Sequence, residues 1–394
     1  MDPSKARLLI HHHAIVHYDE NGRIWIPSFI GRWVDALAAH FREIALLVHQ
    51  STTHSVYRQD HQIARDNVHV VSMGPPGRGW DRILRMRRIR AACLSARTGA
   101  DCLLIRGITP RQFSVWRWVD LNQTAFLLVG TLGEFPTSAS RATLPWRLYE
   151  PFMRRHRIRE ITRIAQQSVM LANSPGLVAE LDQKYGCRAH FVPTNTISQR
   201  EFPPLSPRPV FSPIRLLFCG RVVEDKGIRE AIESVGLIRR SGMDCLLDVV
   251  GSFSSDYRRQ LEKLSAEFGV QAAIHYHGSV PYGNRLFDYY RCADVFVLPT
   301  YHEGFPHVLW EAAAFSCPLV TCGVGGIPAL LEHETHALLI PTRNAGAVSE
   351  AILRLVRDDL LRQTLVQAAY RRATEFTVEA CAEKLCTVLA ERWN

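Results

Sequence analysis

Two runs of apolar, strand-like segments alternate with segments of helical period, and a proline-dense stretch separates them. That alternation constrains the fold more than any other feature. Strands that alternate with helices build parallel sheets, and helices then cover both faces. In the first run the strands read Arg7–Tyr18, Ile44–His49, Val68–Met73, Cys102–Arg106, Thr124–Val129, Ser168–Ala172 and Arg188–Val192. Helical spacing is clearest over Ser28–Phe41, where Ile30, Trp33, Val34, Leu37, Ala38 and Phe41 recur on one face. Further helices read over Asp81–Arg97, Arg111–Asp120, about Pro145–Gln167 and Ser174–Lys184. Residues 201–213 hold five prolines and neither period, as a stiff linker would. The second run has strands at Ile214–Cys219, Cys245–Val250, Ala273–Tyr276, Val295–Leu298, Leu319–Cys322 and Ala337–Ile340. Helices over Ala345–Val356, Leu360–Phe376 and Val378–Trp393 finish the chain. The expectation is an α/β protein of two Rossmann-like domains: residues 1–200, a linker over 201–213, residues 214–376, and a terminal helix over 377–394 packing back on the first domain.

Charge divides along the same boundary. Residues 1–200 carry 27 Lys+Arg against 15 Asp+Glu, a net of +12, whereas residues 201–394 carry 20 against 23, a net of −3. Such asymmetry points to an anionic partner for the first half. No apolar run approaches the roughly 18 residues of a membrane span, and Arg7 with His11-His12-His13 interrupts any signal-like core. Ten cysteines lie scattered without a Cys-x-x-Cys pair, which suits buried thiols in a cytoplasmic protein.

The chemistry concentrates at Tyr301-His302-Glu303-Gly304-Phe305-Pro306-His307-Val308-Leu309-Trp310-Glu311, after the strand Val295–Leu298. Gly304 permits a tight turn, and Pro306 suits a helix start. A strand end, a glycine turn and a helix N-terminus make an anion site, because free N–H groups and the helix dipole face the ligand. Were the whole segment helical, Glu303 and Glu311 would stand roughly 80° apart around the axis. The better reading places Glu303 on the loop and Glu311 in the helix, both facing one cleft.

This segment resembles the Glu-x7-Glu motif of retaining GT-B glycosyltransferases of family 4, the glycosyl transferases group 1. The resemblance covers nearly all of residues 214–394 and the first 200 residues only loosely. It implies two domains facing each other across a cleft. It also implies transfer of a hexose from a UDP- or GDP-sugar to an acceptor hydroxyl, without metal or cofactor, in cell-surface polysaccharide or lipid-linked glycan synthesis. Cys219-Gly220-Arg221-Val222-Val223-Glu224-Asp225-Lys226-Gly227 resembles the family's pyrophosphate grip, in which Arg221 and Lys226 neutralise the departing diphosphate. Read alone, those cations could pair with Glu224 and Asp225 on a surface loop. By resemblance Glu303 faces the donor sugar, Glu311 the ribose, and the backbone from Gly304 through Phe305, Pro306, His307 and Val308 to Leu309 the sugar and phosphates. His307 either touches the donor or caps the helix. Val250-Gly251-Ser252 and His277-Gly278-Ser279-Val280 resemble base-binding loops, and plain turns remain the alternative. Gly323-Val324-Gly325-Gly326-Ile327-Pro328 is not a dinucleotide fingerprint. Pro328 takes the third glycine's place and residues 342–347 hold no acidic ribose partner. It resembles the family's turn beside the donor, with Ala329 where an acid is common.

The first half departs from the family pattern. Asp19-Glu20-Asn21-Gly22 stands for the usual glycine pair, Pro193-Thr194-Asn195-Thr196-Ile197 for Pro-Asn-Gly-Val-Asp, and Gly130-Thr131-Leu132-Gly133-Glu134 for a His-Asp pair. By position Asn21, Gly22, Arg106, Thr131 and Glu134 end strands on the acceptor side, as contacts or as turns. His11 and His13 alternate on one strand face with His17 beyond, too thin a set for a metal. The arginines and apolar residues of 80–90 and 146–159 suggest a helix pair lying on an anionic membrane surface at its inner face. The acceptor is then a glycan or lipid-linked glycan. A nucleotide-sugar epimerase on the same fold is the alternative. A glycoside hydrolase needs no diphosphate grip, and the basic half has no nucleic-acid motif, so no nucleic-acid partner is expected.

Overall fold

The computed structural model describes residues 2–51, 60–76, 85–107, 110–129, 155, 158–206 and 209–393. The chain forms two compact units, residues 1–194 with 378–394, and residues 195–377. Each is built on its own sheet.

The sheet of unit 1 contains β1 (Arg7–Tyr18), β2 (Ile24–Ile26), β3 (Glu43–Gln50), β4 (His61–Gln62), β5 (Val68–Ser72), β6 (Cys102–Arg106), β7 (Thr124–Leu128), β8 (Val169–Ala172) and β9 (Ala189–Phe191). Its parallel strands run in the order β5-β3-β1-β6-β7-β8-β9. β2 and β4 add an antiparallel flap to the far end of β1, with His17 opposite Trp25 and Trp25 opposite Gln62. The sequence reading missed this flap, because segments of two and three residues carry no period. Helices α1 (Ser28–Ala38), α2 (Met86–Arg97), α3 (Pro110–Val119), residues 158–167 and α4 (Pro175–Tyr185) accompany the strands. α1 stops three residues before the expected Phe41. The Asn67 side-chain amide donates to the carbonyls of Ala38 and Phe41, each at 2.9 Å, and so satisfies the helix end. α4 is bounded as its sequence suggests. Ser174 Oγ accepts from Leu177 N, Pro175 opens the first turn, and Gly186 closes it in a left-handed conformation.

Unit 2 carries β10 (Ile214–Cys219), β11 (Cys245–Val250), β12 (Ile274–Gly278), β13 (Val295–Leu298), β14 (Leu319–Cys322) and β15 (Leu338–Ile340). All pairs are parallel, in the order β12-β11-β10-β13-β14-β15. Around them lie α5 (Ile228–Arg240), α6 (Ser255–Glu267), α7 (Asn284–Cys292), α8 (His307–Ala314), α9 (Ile327–Leu330), α10 (Ala345–Arg357) and α11 (Asp359–Thr374). β13 and β14 are buried along their whole length, which explains why they read as apolar runs without alternation. The described part of the proline-dense stretch lies on this unit. Tyr370 Oη donates to Pro203 O at 2.9 Å and Ser206 N to Ser316 Oγ at 3.3 Å.

The last helix, α12 (Val378–Arg392), returns to unit 1. Its Val378, Ala382, Leu385 and Leu389 share a core with Ile30, Trp33, Val34 and Leu37 of α1. Each large side chain buried there stabilises the fold by about 1.5–3 kcal/mol.

Candidate donor site and the family match

In unit 2 the strand order reverses between β10 and β13, so the loops after these strands diverge and leave a crevice at their carboxyl ends. The β10 loop brings Gly220, Arg221 and Lys226 to this point, and the β13 loop brings Glu303. Main-chain bonds tie the two loops together. Tyr301 N donates to Asp225 O at 2.8 Å, and Thr300 Oγ1 donates to the same oxygen at 3.1 Å. Gly227 is left-handed at φ +70, and a Cβ there would lie 2.0 Å from Pro299 O. Only glycine allows the loops to approach so closely. The turn after β14 closes the third side. Gly326 N donates to Gly304 O at 2.7 Å, and a Cβ on Gly325 (φ +57) would stand 1.7 Å from Glu303 O. Val222 N bonds Ser252 O and Gly251 N bonds Gly278 O, stitching the β11 and β12 loops to the same edge.

Lys226 Nζ donates to Glu303 Oε1 at 2.6 Å, and only 11% and 15% of their side chains are exposed. Burial pushes the Glu303 carboxyl above its ordinary range, and the Lys226 ammonium, ahead of the more distant Arg221, opposes that rise. Arg221 is solvent-exposed. The crevice thus holds two cations, one buried carboxylate and the N-terminus of α8, whose cap is Pro306 and whose first helical residue is His307. Pro306 therefore sits one position earlier than the expected first turn, with extended backbone. An arrangement of this kind binds a diphosphate through fixed positive charge and free N–H groups.

The other residues expected on the donor side divide by burial. Phe305 and Leu309 are core residues. The Phe305 ring stacks on Trp310, which stacks on Phe376, each at 4.6 Å. Their side chains fix the backbone of the loop and helix. His307 and Val308 are half-buried. Glu311 is 5% exposed and accepts hydrogen bonds from Tyr290 Oη and Thr196 Oγ1, both at 2.7 Å. Neither of these two partners bonds Glu303, whose carboxylate meets Lys226. Burial raises the Tyr290 phenol well above its usual pKa, and Cys219 and Glu311 add to the effect. Tyr290, Thr196, Tyr301 and Glu230 were missed by the sequence reading. Tyr301 Oη donates to Glu230 Oε1 at 2.6 Å while the Arg343 guanidinium lies 4.5 Å from the Tyr301 ring. Tyr301 opens the Glu303 segment and Thr196 lies in the segment standing for Pro-Asn-Gly-Val-Asp, so both had a local signal without an assigned role; nothing local marks Tyr290 or Glu230.

On unit 1 the expected strand-end residues fare differently. Asn21 and Gly22 do not end the parallel part of β1. They form the tip of the β1–β2 hairpin, where Asp19 Oδ1 accepts from Asn21 N at 3.0 Å and Asp19 O from Gly22 N at 3.0 Å. β1 shifts register between His11 and Ile15 and then pairs with β3 again through Val16. Arg106 does end β6 and is buried. Thr131 and Glu134 lie outside the described residues, as do residues 80–84 and 146–154 of the two basic segments. Within α2, Arg87, Arg88 and Arg90 are exposed and Ile89 is buried. His11 is buried and His13 exposed, and no cluster of metal-ligating side chains occurs among the described residues. No helix among them is long and apolar enough to cross a membrane.

Residues 210–372 match the family model of glycosyl transferases group 1. The match contains every element of the crevice just described. A curated relative, the capsular polysaccharide biosynthesis glycosyltransferase CapM of Staphylococcus aureus, is 31% identical over 173 residues. That stretch covers 43% of this chain and 43% of CapM, so the chain spans less than half the relative's length. Whole-chain likeness comes from structure. Sucrose-phosphate synthase from Thermosynechococcus elongatus superposes with a TM-score of 0.72 at 18% identity, covering 98% of this chain and 99% of that one. Anabaena HepE in complex with UDP-glucose gives 0.71 at 12% identity, covering 98% and 100%. The fold is that of the GT-B glycosyltransferases, with two Rossmann-like domains.

Proposed function

We propose that the chain is a retaining, metal-independent glycosyltransferase that moves a hexose from a UDP- or GDP-sugar to an acceptor hydroxyl on a glycan or lipid-linked glycan. The observation that carries this reading is the buried Lys226–Glu303 pair at the switch point of unit 2, beside Arg221 and the N-terminus of α8. The group 1 family match over that unit and the UDP-glucose held by HepE support it.

In this reading Lys226 releases Glu303 and binds the donor diphosphate together with Arg221 and the α8 amides. As the bond from the anomeric carbon to the diphosphate oxygen breaks, negative charge grows on that oxygen, and the fixed cations stabilise it. The acceptor oxygen bonds to the anomeric carbon from the same face, and its proton passes to the departing diphosphate. Glu303 accepts from donor sugar hydroxyls. Glu311, held by Tyr290 and Thr196, accepts from the ribose hydroxyls.

A panel of nucleotide sugars tests the donor. One present at a hundred times its dissociation constant adds about 2.7 kcal/mol of stability. Arg221→Ala, Lys226→Ala and Glu311→Gln should each lose about 10²–10³ in turnover. NMR of the product should show retained anomeric configuration, and chelator should leave the rate unchanged. Transfer rates near wild type in all three variants refute the site. Product formed from donor alone favours an epimerase. Work at the inner membrane face is supported by the +12 charge of residues 1–200 and the exposed arginines of α2. Salt-sensitive co-sedimentation with anionic vesicles tests it, and equal, negligible binding to anionic and neutral vesicles rejects it.

A further inference from the structure

Unit 1 has its own switch point, between β1 and β6, and Arg106 occupies it. β1 and β6 pair from Leu8 opposite Cys102 to His11 opposite Ile105, so Arg106 stands level with His12, where β1 breaks its ladder. The Arg106 side chain is only 5% exposed. Its guanidinium lies 5.1 Å from the Trp33 ring and 5.9 Å from the Phe29 ring. A hydrogen bond runs from its Nη1 to Phe29 O at 3.5 Å, the outer limit for such a bond. Among the described residues no carboxylate pairs with it. Asp60, near the start of α1, accepts from Ser28 N instead. Burial alone lowers the Arg106 pKa to about 10, well within the charged range at neutral pH.

His12 supplies a second donor at the same place. Its Nδ1 accepts from Ala14 N at 2.9 Å, and burial with Arg106 and its histidine neighbours holds its pKa well below the ordinary value. The ring is therefore neutral with its proton on Nε2. Beside it Phe29, 43% exposed, presents an apolar ring 5.9 Å from the imidazole. The switch point brings together a buried cation and an N–H donor, with no carboxylate paired to Arg106 among the described residues. Taking a cation out of water without a counter-charge is strongly unfavourable, which favours an anion at this place.

We propose that Arg106 and His12 Nε2 bind an oxyanion on the acceptor, a phosphate or a carboxylate borne by a sugar that rests against Phe29. This substrate class rests on the reading of the chain as a glycosyltransferase whose acceptor meets unit 1. Arg106 Nη and Nε groups can form the two parallel bonds that either oxyanion accepts.

The test uses full-length chain carrying Arg221→Ala, which weakens anion binding at the donor site. Thermal stabilisation is measured at constant ionic strength with inorganic phosphate, glucose 6-phosphate, glucuronate and glucose. Stabilisation by glucose 6-phosphate assigns a phosphate, stabilisation by glucuronate a carboxylate, and glucose gives none. Adding Arg106→Met should weaken the effective anion at least tenfold, while Arg106→Lys retains part of the binding. Arg106→Met should also raise the melting temperature of the ligand-free protein, because it keeps the apolar stem and removes an unpaired buried charge. A fall in melting temperature means that the chain itself already neutralises Arg106, and overturns the proposal. So does anion binding that is equal with and without Arg106→Met, or no anion effect in either protein. UDP titrations of the wild type and of Arg106→Met alone are read separately. Failure of UDP to bind either refutes the glycosyltransferase reading without touching the anion measurement.

Discussion

Removing Lys226 should destabilise unit 2 far more than an ion pair on a protein surface would suggest, because the nearer of its two partners, Glu303 rather than the more exposed Asp225, is enclosed. Its ammonium sits 2.6 Å from Glu303 Oε1, and neither side chain is more than 15% exposed. Breaking a buried pair from one side typically costs about 3–5 kcal/mol, because the surviving charge is left without compensation. Here Glu303 can escape part of that cost by taking up a proton, since its carboxyl is already pushed upward by burial. We therefore expect Lys226→Met to lose about 3 kcal/mol at neutral pH, the low end of the range, and less in mild acid. The double replacement Lys226→Met with Glu303→Leu substitutes a packed apolar pair and should recover most of the loss. Hydrogen exchange in increasing urea, followed on peptides from β10 and β13, reads this locally and does not require the whole chain to unfold in one step. The cycle of four proteins should give a coupling energy of at least about 2 kcal/mol. Additivity within about 0.5 kcal/mol would refute the argument, since the two groups would then be energetically independent.

Three further outcomes follow from the same site. Folding raises the Glu303 pKa, so the folded protein binds this proton more tightly than the unfolded chain; its contribution to stability is full below 4.5 and is lost as pH climbs through the folded value. Glu303→Gln should flatten that part of the pH–stability curve, and an unchanged curve counts against it. Tyr301→Phe deletes the hydrogen bond to buried Glu230 and should cost about 1.5–3 kcal/mol in chemical denaturation, with a loss below about 0.5 kcal/mol as the contrary result. Gly325→Ala forces a Cβ to within 1.7 Å of Glu303 O at a left-handed position. It should abolish UDP stabilisation while β10 and β13 stay protected in hydrogen exchange, and normal UDP binding would show that the β14 turn does not set the Glu303 loop.

Most of the scaffold was legible because its strands are buried on both faces. Ile214–Cys219, Cys245–Val250, Val295–Leu298 and Leu319–Cys322 stand where their apolar runs predict them. The antiparallel flap was not legible, since Ile24–Ile26 owes its strand to pairing with His17 and Tyr18 rather than to any period of its own. At the candidate site, Lys226 and Glu303 could be named from local motifs, and the structure brings them together across 77 residues of sequence. Their enclosure could not be read that way, because it depends on Gly227 packing against Pro299 O and on Gly325 reaching Glu303 O from the turn after β14. Asn21 and Gly22 stand in the turn directly after the strand Arg7–Tyr18, where their positions put them. What was not legible is the register shift inside β1 between His11 and Ile15, after which its pairing with β3 resumes through Val16.

The discontinuity of unit 1 bears on how the chain is made. α12 covers the apolar face of α1, yet 183 residues of unit 2 separate it from the end of the first segment at Thr194. As the chain leaves the ribosome, Ile30, Trp33 and Leu37 emerge long before their partners Leu385 and Leu389. Unit 2 is continuous and can close around β10–β15 as it is synthesised. Unit 1 must wait with one flank of its core open until the final helix arrives. The half of the protein that is translated first is thus the last to be finished, and its interval of exposure grows with every slow codon in the other half.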